Sequence, residues 1–228
     1  MEDYLSEGEQ IESLRRSFKE HAPWAVAGLL IALVGFVGYQ QYTAWRTRQA
    51  VTASQKYNAA LEALSHADKP GAVKLATELK TDFGRTPYGD LAVLAVTRFE
   101  VETNDLTDAA KRLEDLMNTA VDPEMRIVAR LRLARVQRAE SKPDLALATL
   151  AAAPAGTQTP AFAEVRGDVL ADKGDKKGAL DAYHEALEAK MPGMANRDML
   201  TLKIAALGGA PAATAAPAGA TAAAKAAK

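Results

Sequence analysis

The chain contains no cysteine, and its three histidines, His21, His66 and His184, are the first residues to test for metal-binding chemistry. Metal-binding histidines recur at short spacings that bring their ring nitrogens together, whereas these three are scattered. His21 abuts a long apolar run, and His66 stands beside the Lys69-Pro70-Gly71 turn. His184 follows Tyr183 on a helical pattern, at a position expected to be exposed. The missing cysteine rules out disulfides, thiolate metal sites and cysteine nucleophiles, and leaves reducing and oxidising compartments both open. No G-x-S-x-G, phosphate-binding glycine loop or H-E-x-x-H occurs. Gly167-Asp168 and Gly174-Asp175 read as small contacts and turns. The expectation is a protein with no catalytic residue, no metal and no cofactor, hence not an enzyme.

With chemistry set aside, the organising element is the apolar stretch at residues 22–45. No charge interrupts it from Ala22 to Trp45, and roughly 20 apolar residues suffice to cross the hydrocarbon layer. Trp24 stands at one end, and Tyr39, Tyr42 and Trp45 at the other, where amphipathic rings settle at the two headgroup interfaces. A signal peptide has a basic start, a shorter apolar run and a cleavage site. Here the start is acidic, with Glu2, Asp3, Glu7 and Glu9. The segment reads as an uncleaved anchor in contact with membrane lipid. Ala25, Gly28, Ala32 and Gly35 make a small-residue stripe along it, which either docks another membrane helix or reflects the ordinary composition of such helices. Arg15, Arg16 and Lys19 before the anchor are nearly balanced by Arg46, Arg48 and Lys56 after it, so the residues alone do not choose an orientation.

Residues 1–21 read as a short amphipathic segment, with Ser6-x-x-Glu9 as a capping box and Ile11, Leu14 and Phe18 on one face. Beyond the anchor, residues 46–207 are rich in alanine and poor in aromatics, and no stretch alternates with period two. An all-α domain follows. Lys/Arg and Asp/Glu nearly cancel, with a net charge of -1, so nucleic acid is not an expected partner. Residues 208–228 combine low complexity with proline and no large apolar side chain, the composition of a disordered tail.

The helical region carries an internal repeat. At a 33-residue offset Ala134 matches Gly167, Ala146 matches Ala179 and Leu150 matches Tyr183. Ala109 and Ala72 continue the series at 37-residue intervals. Asn104-Asp105, Ser141-Lys142 and Gly174-Asp175 mark turns inside helix pairs, while Thr86-Pro87, Asp122-Pro123 and Thr159-Pro160 open new ones. This resembles the tetratricopeptide repeat, with Gly167, Ala179, Tyr183 and Ala186 where that motif wants small, small, aromatic and small residues. The motif's large first-helix aromatic is absent, since Ala163 holds that place. An ordinary helical bundle is the alternative. Phe83, Tyr88, Phe99, Phe162 and Tyr183 are expected in the core. Arg126, Arg130, Arg132, Arg135 and Arg138 crowd one helix, as either a solvated, paired face or an anion-binding patch.

The order of these parts, ESLRRSFKEHAPW, one anchor, QQYTAWRTRQAVTASQKYNAAL, RLRLARVQ and RGDVLADKGDKKGALDAY, resembles the YfgM family. The likeness covers about residues 1–207 and departs from Gly208 on. It implies a single-pass inner-membrane protein with a cytoplasmic N-terminus and a periplasmic tetratricopeptide-like solenoid. It further implies, as partners, the SecYEG translocon, a membrane-anchored periplasmic chaperone of prolyl isomerase type, and nascent or unfolded secreted proteins. The implied role is a protein-interaction and chaperone module without catalysis. The alternative is a scaffold of an envelope or division complex that never touches clients, a stress-signalling regulator among them.

Overall fold

The structure, a computed structural model, describes residues 7–157, 159–188 and 196–209, with no side-chain description for 7–14, 16–23 and 25. The proposed capping box, the Ile11/Leu14/Phe18 face and the tail beyond Gly209 therefore lie outside the described residues. Two compact units divide the chain, Met1–Ser54 and Gln55–Lys228.

The first unit is built on helix α1 (Glu7–Ser65). The amphipathic segment and the anchor form one uninterrupted helix rather than two elements, although Pro23 withholds one backbone N–H from its ladder. Its apolar side chains face outward: Trp24 is 80% exposed, Ile31 74%, Val34 71% and Phe36 60%. A core helix of a soluble domain would bury these rings and branches, whereas none of this apolar window is buried. The helix is thus long and apolar enough to cross a membrane. At the far end of its charge-free stretch Tyr42 and Trp45 stack at 6.2 Å, and the Arg46 guanidinium lies 5.9 Å over the Tyr42 ring. These groups suit an interfacial layer where one side is apolar and the other wet.

In the second unit the last turns of α1 are followed by α2 (Lys69–Asp82), α3 (Tyr88–Glu102), α4 (Leu106–Thr119) and α5 (Pro123–Ala139). Then come α6 (Pro143–Ala151), α7 (Pro160–Asp172), α8 (Lys176–Glu188) and α9 (Arg197–Ala206). Among the described residues there is no strand.

One backbone device makes the pairs. Ala67, Asn104, Ser141 and Gly174 adopt φ of 59°, 60°, 61° and 80°. Each ends a helix with the reversal in which the next N–H reaches back to a carbonyl of the last turn. Asp68 donates to the Ala63 carbonyl at 2.8 Å, Asp105 to Glu100 at 2.7 Å, Lys142 to Gln137 at 2.9 Å and Asp175 to Leu170 at 3.0 Å. A non-glycine residue in this left-handed region costs roughly 1 kcal/mol. Replacing Ser141 with glycine should therefore stabilise the domain only slightly, by up to about 0.5 kcal/mol, once the greater freedom of glycine in the unfolded chain is subtracted. A urea midpoint moved to higher concentration checks this, and Gly174→Ala should move it the other way.

Small residues sit wherever two helices of a pair cross. Ala60, Thr97, Ala134 and Gly167 on the first helices are buried, and so are Ala72, Ala109, Ala146 and Ala179 on the second. Between these crossings run three successive cores. Leu94, Leu113, Leu116, Leu133 and Val136 join α3, α4 and α5. Leu150, Phe162, Val165 and Val169 join α5, α6 and α7. Tyr183, Leu187, Leu200 and Ile204 join α7, α8 and α9. Each helix thus buries its apolar face on its sequence neighbours, as a stacked-repeat architecture requires.

Of the predicted helix starts, Asp122 caps α5 by accepting from the Glu124 N–H at 2.9 Å, with Pro123 at the first position. Thr159 precedes α7 without a side-chain cap bond. Thr86 differs from expectation: its hydroxyl donates back to the Phe83 carbonyl at 2.8 Å, and α3 starts after Pro87. At the C-terminal end Gly208, with φ of 81°, closes α9, and the Gly209 N–H donates to Ile204 at 3.0 Å. Packed structure therefore reaches slightly past Leu207.

Candidate interaction groove

The residues singled out from sequence fall into separate places. In the anchor, a Cβ added at Gly28 or Gly35 would meet nothing within 4 Å, and Ala32 is exposed. The Ala25 side chain lies outside the description. Ala134, Ala146 and Leu150 meet in the middle core, and Ala179, Tyr183 and Ala186 in the last one. Gly167 lies directly against Tyr183, because a Cβ there would stand 2.5 Å from the ring. Of the five aromatics expected inside, Phe162 and Tyr183 are buried, while Phe83, Tyr88 and Phe99 are half-buried. His184, expected to be exposed, is half-buried, and His66 is exposed. The His21 side chain lies outside the description, and among the described residues no histidine joins a metal-binding group.

Two polar networks lock neighbouring repeats. In the first, the Tyr183 hydroxyl donates to Asp168 Oδ1 at 2.8 Å, and Lys203 Nζ approaches the same oxygen at 2.7 Å. Arg138 grips Asp172 at 2.5 and 3.2 Å and reaches Asp168 at 3.3 Å. Burial, then the hydrogen bond to Asp168, pushes the Tyr183 phenol well above its usual range.

The second network centres on Glu100, which is fully buried at the end of α3. Arg112 Nε donates to its Oε1 at 2.8 Å, and Lys69 Nζ lies 3.2 Å from that oxygen. Lys69 also binds Asp105, and Asp108 at 2.8 Å. Hydrogen bonds to Asp105 and then Asp108 hold the Lys69 ammonium above the usual lysine range. The three carboxylates lie within 4.8 Å of one another, close enough for a metal ion, but the lysine ammonium already supplies the cation there. Sequence reading missed this cluster, because its members are spread from Lys69 to Arg112 and share no local spacing.

The arginines of α5 resolve into three kinds. Arg138 is paired as above. Arg126 donates to the Ala120 carbonyl at 2.7 Å and Arg130 to Thr149 at 3.1 Å. Arg132 and Arg135 are exposed and have no carboxylate within salt-bridge distance among the described residues.

Arg132 opens onto a groove of about 680 Å³ formed by first helices alone. The end of α1 contributes Tyr57, Leu61 and Leu64, while α3 contributes Leu91, Phe99 and Arg98. Leu61 stays 39% exposed there, an apolar surface that the domain itself leaves uncovered. Arg98 is tied to Glu102 on its own helix at 2.7 Å. Such a surface, apolar along its floor with guanidinium groups at one side, has the character of a binding groove.

A ladder of helix pairs turned through left-handed residues, with small residues at each crossing, defines a helical-repeat interaction protein. Comparison with known proteins agrees: the family described as Tetratricopeptide repeat-like domain matches residues 15–209. The ancillary SecYEG translocon subunit of Escherichia coli is 30% identical over 204 residues, 90% of this chain and 98% of that protein. The protein of that name from Neisseria gonorrhoeae is 25% identical over 213 residues, with the same coverage. The Haemophilus influenzae protein is 21% identical over 185 residues, 81% of this chain and 90% of its own length. The chain belongs to this family, the YfgM proteins, and is a membrane-anchored member with a Sec-associated type of helical module.

Proposed function

We propose that the protein is an ancillary subunit of the SecYEG translocon that assists newly translocated envelope proteins without catalysing any reaction. The observation that carries this reading is end-to-end likeness to the Escherichia coli subunit, which takes in the apolar helix as well as the repeats. Its N-terminus lies in the cytoplasm, the anchor crosses the inner membrane, and the repeat domain stands in the periplasm. There the groove is open to segments of other proteins: nascent or unfolded clients, and a membrane-anchored chaperone of prolyl isomerase type. The uncovered apolar area at Leu61 supports contact with segments of other proteins.

Tagged full-length protein purified from native membranes in mild detergent should bring SecYEG with it, and recovery without any translocon component would overturn the proposal. An aggregation assay on a model client separates this role from that of a pure scaffold, since a scaffold should give no protection.

A further inference from the structure

The first-helix groove combines features that together specify an occupant. Its floor is apolar and partly uncovered at Leu61, with Tyr57 and Phe99 half-buried beside it. Two arginines line it, Arg98 and Arg132. Arg135 lies one turn beyond Arg132, outside the lining but near enough for its charge to act on that guanidinium. Arg132 is exposed as a whole residue, but partial desolvation of its guanidinium in the groove, followed by the neighbouring charges of Arg135 and Arg98, makes it less willing to carry its proton than an ordinary arginine. Only one carboxylate, Glu102, lines the groove, and Arg98 already occupies it.

We propose that this groove binds an apolar segment of a partner protein that carries a carboxylate, its large side chains on Leu61 and Phe99 and its carboxylate on Arg132. The inference rests on the interaction role proposed above and names the chemistry of what is bound. A guanidinium presents parallel N–H donors that match a carboxylate, and such charge-assisted pairs are about twice as strong as neutral hydrogen bonds. An incoming carboxylate also relieves the mutual repulsion of the arginines, whereas a neutral segment does not. A basic segment is excluded for the same reason.

The test uses the full chain in nanodiscs of phosphatidylcholine and three short fluorescein-labelled peptides. All contain leucine and phenylalanine, interspersed with glutamate, glutamine or lysine. The glutamate peptide should bind roughly tenfold more tightly than the glutamine peptide, and the lysine peptide should not bind. The double variant Arg132→Gln/Arg135→Gln, both sites being exposed, should melt like the parent and bind the glutamate and glutamine peptides equally. Leu61→Ser should weaken both of these peptides alike.

Equal binding of the two peptides by the parent chain would overturn the proposal, as would a glutamate preference that survives in the double variant. If phosphatidylglycerol nanodiscs abolish peptide binding, the arginines serve a lipid surface and the proposal fails. Copurification of SecYEG is scored separately: a parent chain that keeps the glutamate preference but recovers no translocon sinks only the earlier reading.

Discussion

Replacing Lys69 with methionine should destabilise the repeat domain by about 2–3 kcal/mol, a fall in melting temperature of roughly 5–10 °C. The substitution leaves Glu100 fully buried with Arg112 as its remaining cation, and strands Asp105 and Asp108 beside it. Breaking a buried ion pair from one side costs about 3–5 kcal/mol. The smaller figure applies here because Glu100 keeps one partner and the two aspartates are partly in water.

The pH dependence carries a second signature. Lys69 titrates higher in the folded chain than unfolded, so its contribution is complete below the unfolded value of about 10.4. That contribution is lost as pH rises through the folded value. Tyr183 is also raised and adds loss on the same alkaline side. Asp108, lowered by its hydrogen bond from Lys69, contributes above the usual carboxylate range and loses that contribution as pH falls. Lys69→Met should therefore flatten both limbs of the stability–pH curve. Adding Glu100→Gln should recover most of the loss, because Gln137 fills the equivalent place in the next repeat and accepts from Thr149 at 2.8 Å. A neutral Lys69→Met, measured by thermal melting of the full chain in detergent, would contradict this account.

Gly167→Ala should cost about 2–3 kcal/mol even though alanine is the better helix former by up to ~1 kcal/mol. The added methyl would stand 2.5 and 2.6 Å from two carbons of the Tyr183 ring. A mobile side chain would swing away at little cost. This one is 2% exposed, donates to Asp168 at 2.8 Å and lies 5.6 Å beneath the Lys203 ammonium. Either the ring shifts and loses that bond, or α7 and α8 separate. Tyr183→Leu in the Gly167→Ala background separates these routes, because removing the ring should restore part of the loss. A Gly167→Ala chain as stable as the parent in thermal melting would show that the crossing is looser than its geometry indicates.

These two sites also show what a single sequence discloses. Gly167 and Tyr183 were legible because repetition writes the same requirement several times: a small residue on one helix and a larger one facing it, matched by Ala134 and Leu150. The turns at Asn104, Ser141 and Gly174 were legible for the same reason. The anchor was legible because the bilayer demands an uninterrupted apolar length, and Trp24 to Trp45 meets it.

Lys69, Glu100 and Arg112 left no such trace. Among the described residues their network occurs in one repeat; Gln137 and Thr149 replace the glutamate and arginine in the next. A buried carboxylate is also identical, in a sequence, to one on a solvated face. The α5 arginines needed coordinates too, since spacing alone does not tell Arg138, clamped on Asp172, from Arg132, open to the groove.

The placement of that groove decides most of the proposed role. Alkaline phosphatase, which is active only after export, fused after Leu207 tests it most directly. High phosphatase activity in cells is the expected result, with a β-galactosidase fusion at the same site inactive. An inactive phosphatase with an active β-galactosidase would put the repeat domain in the cytoplasm, away from emerging envelope proteins, and would contradict the proposed role.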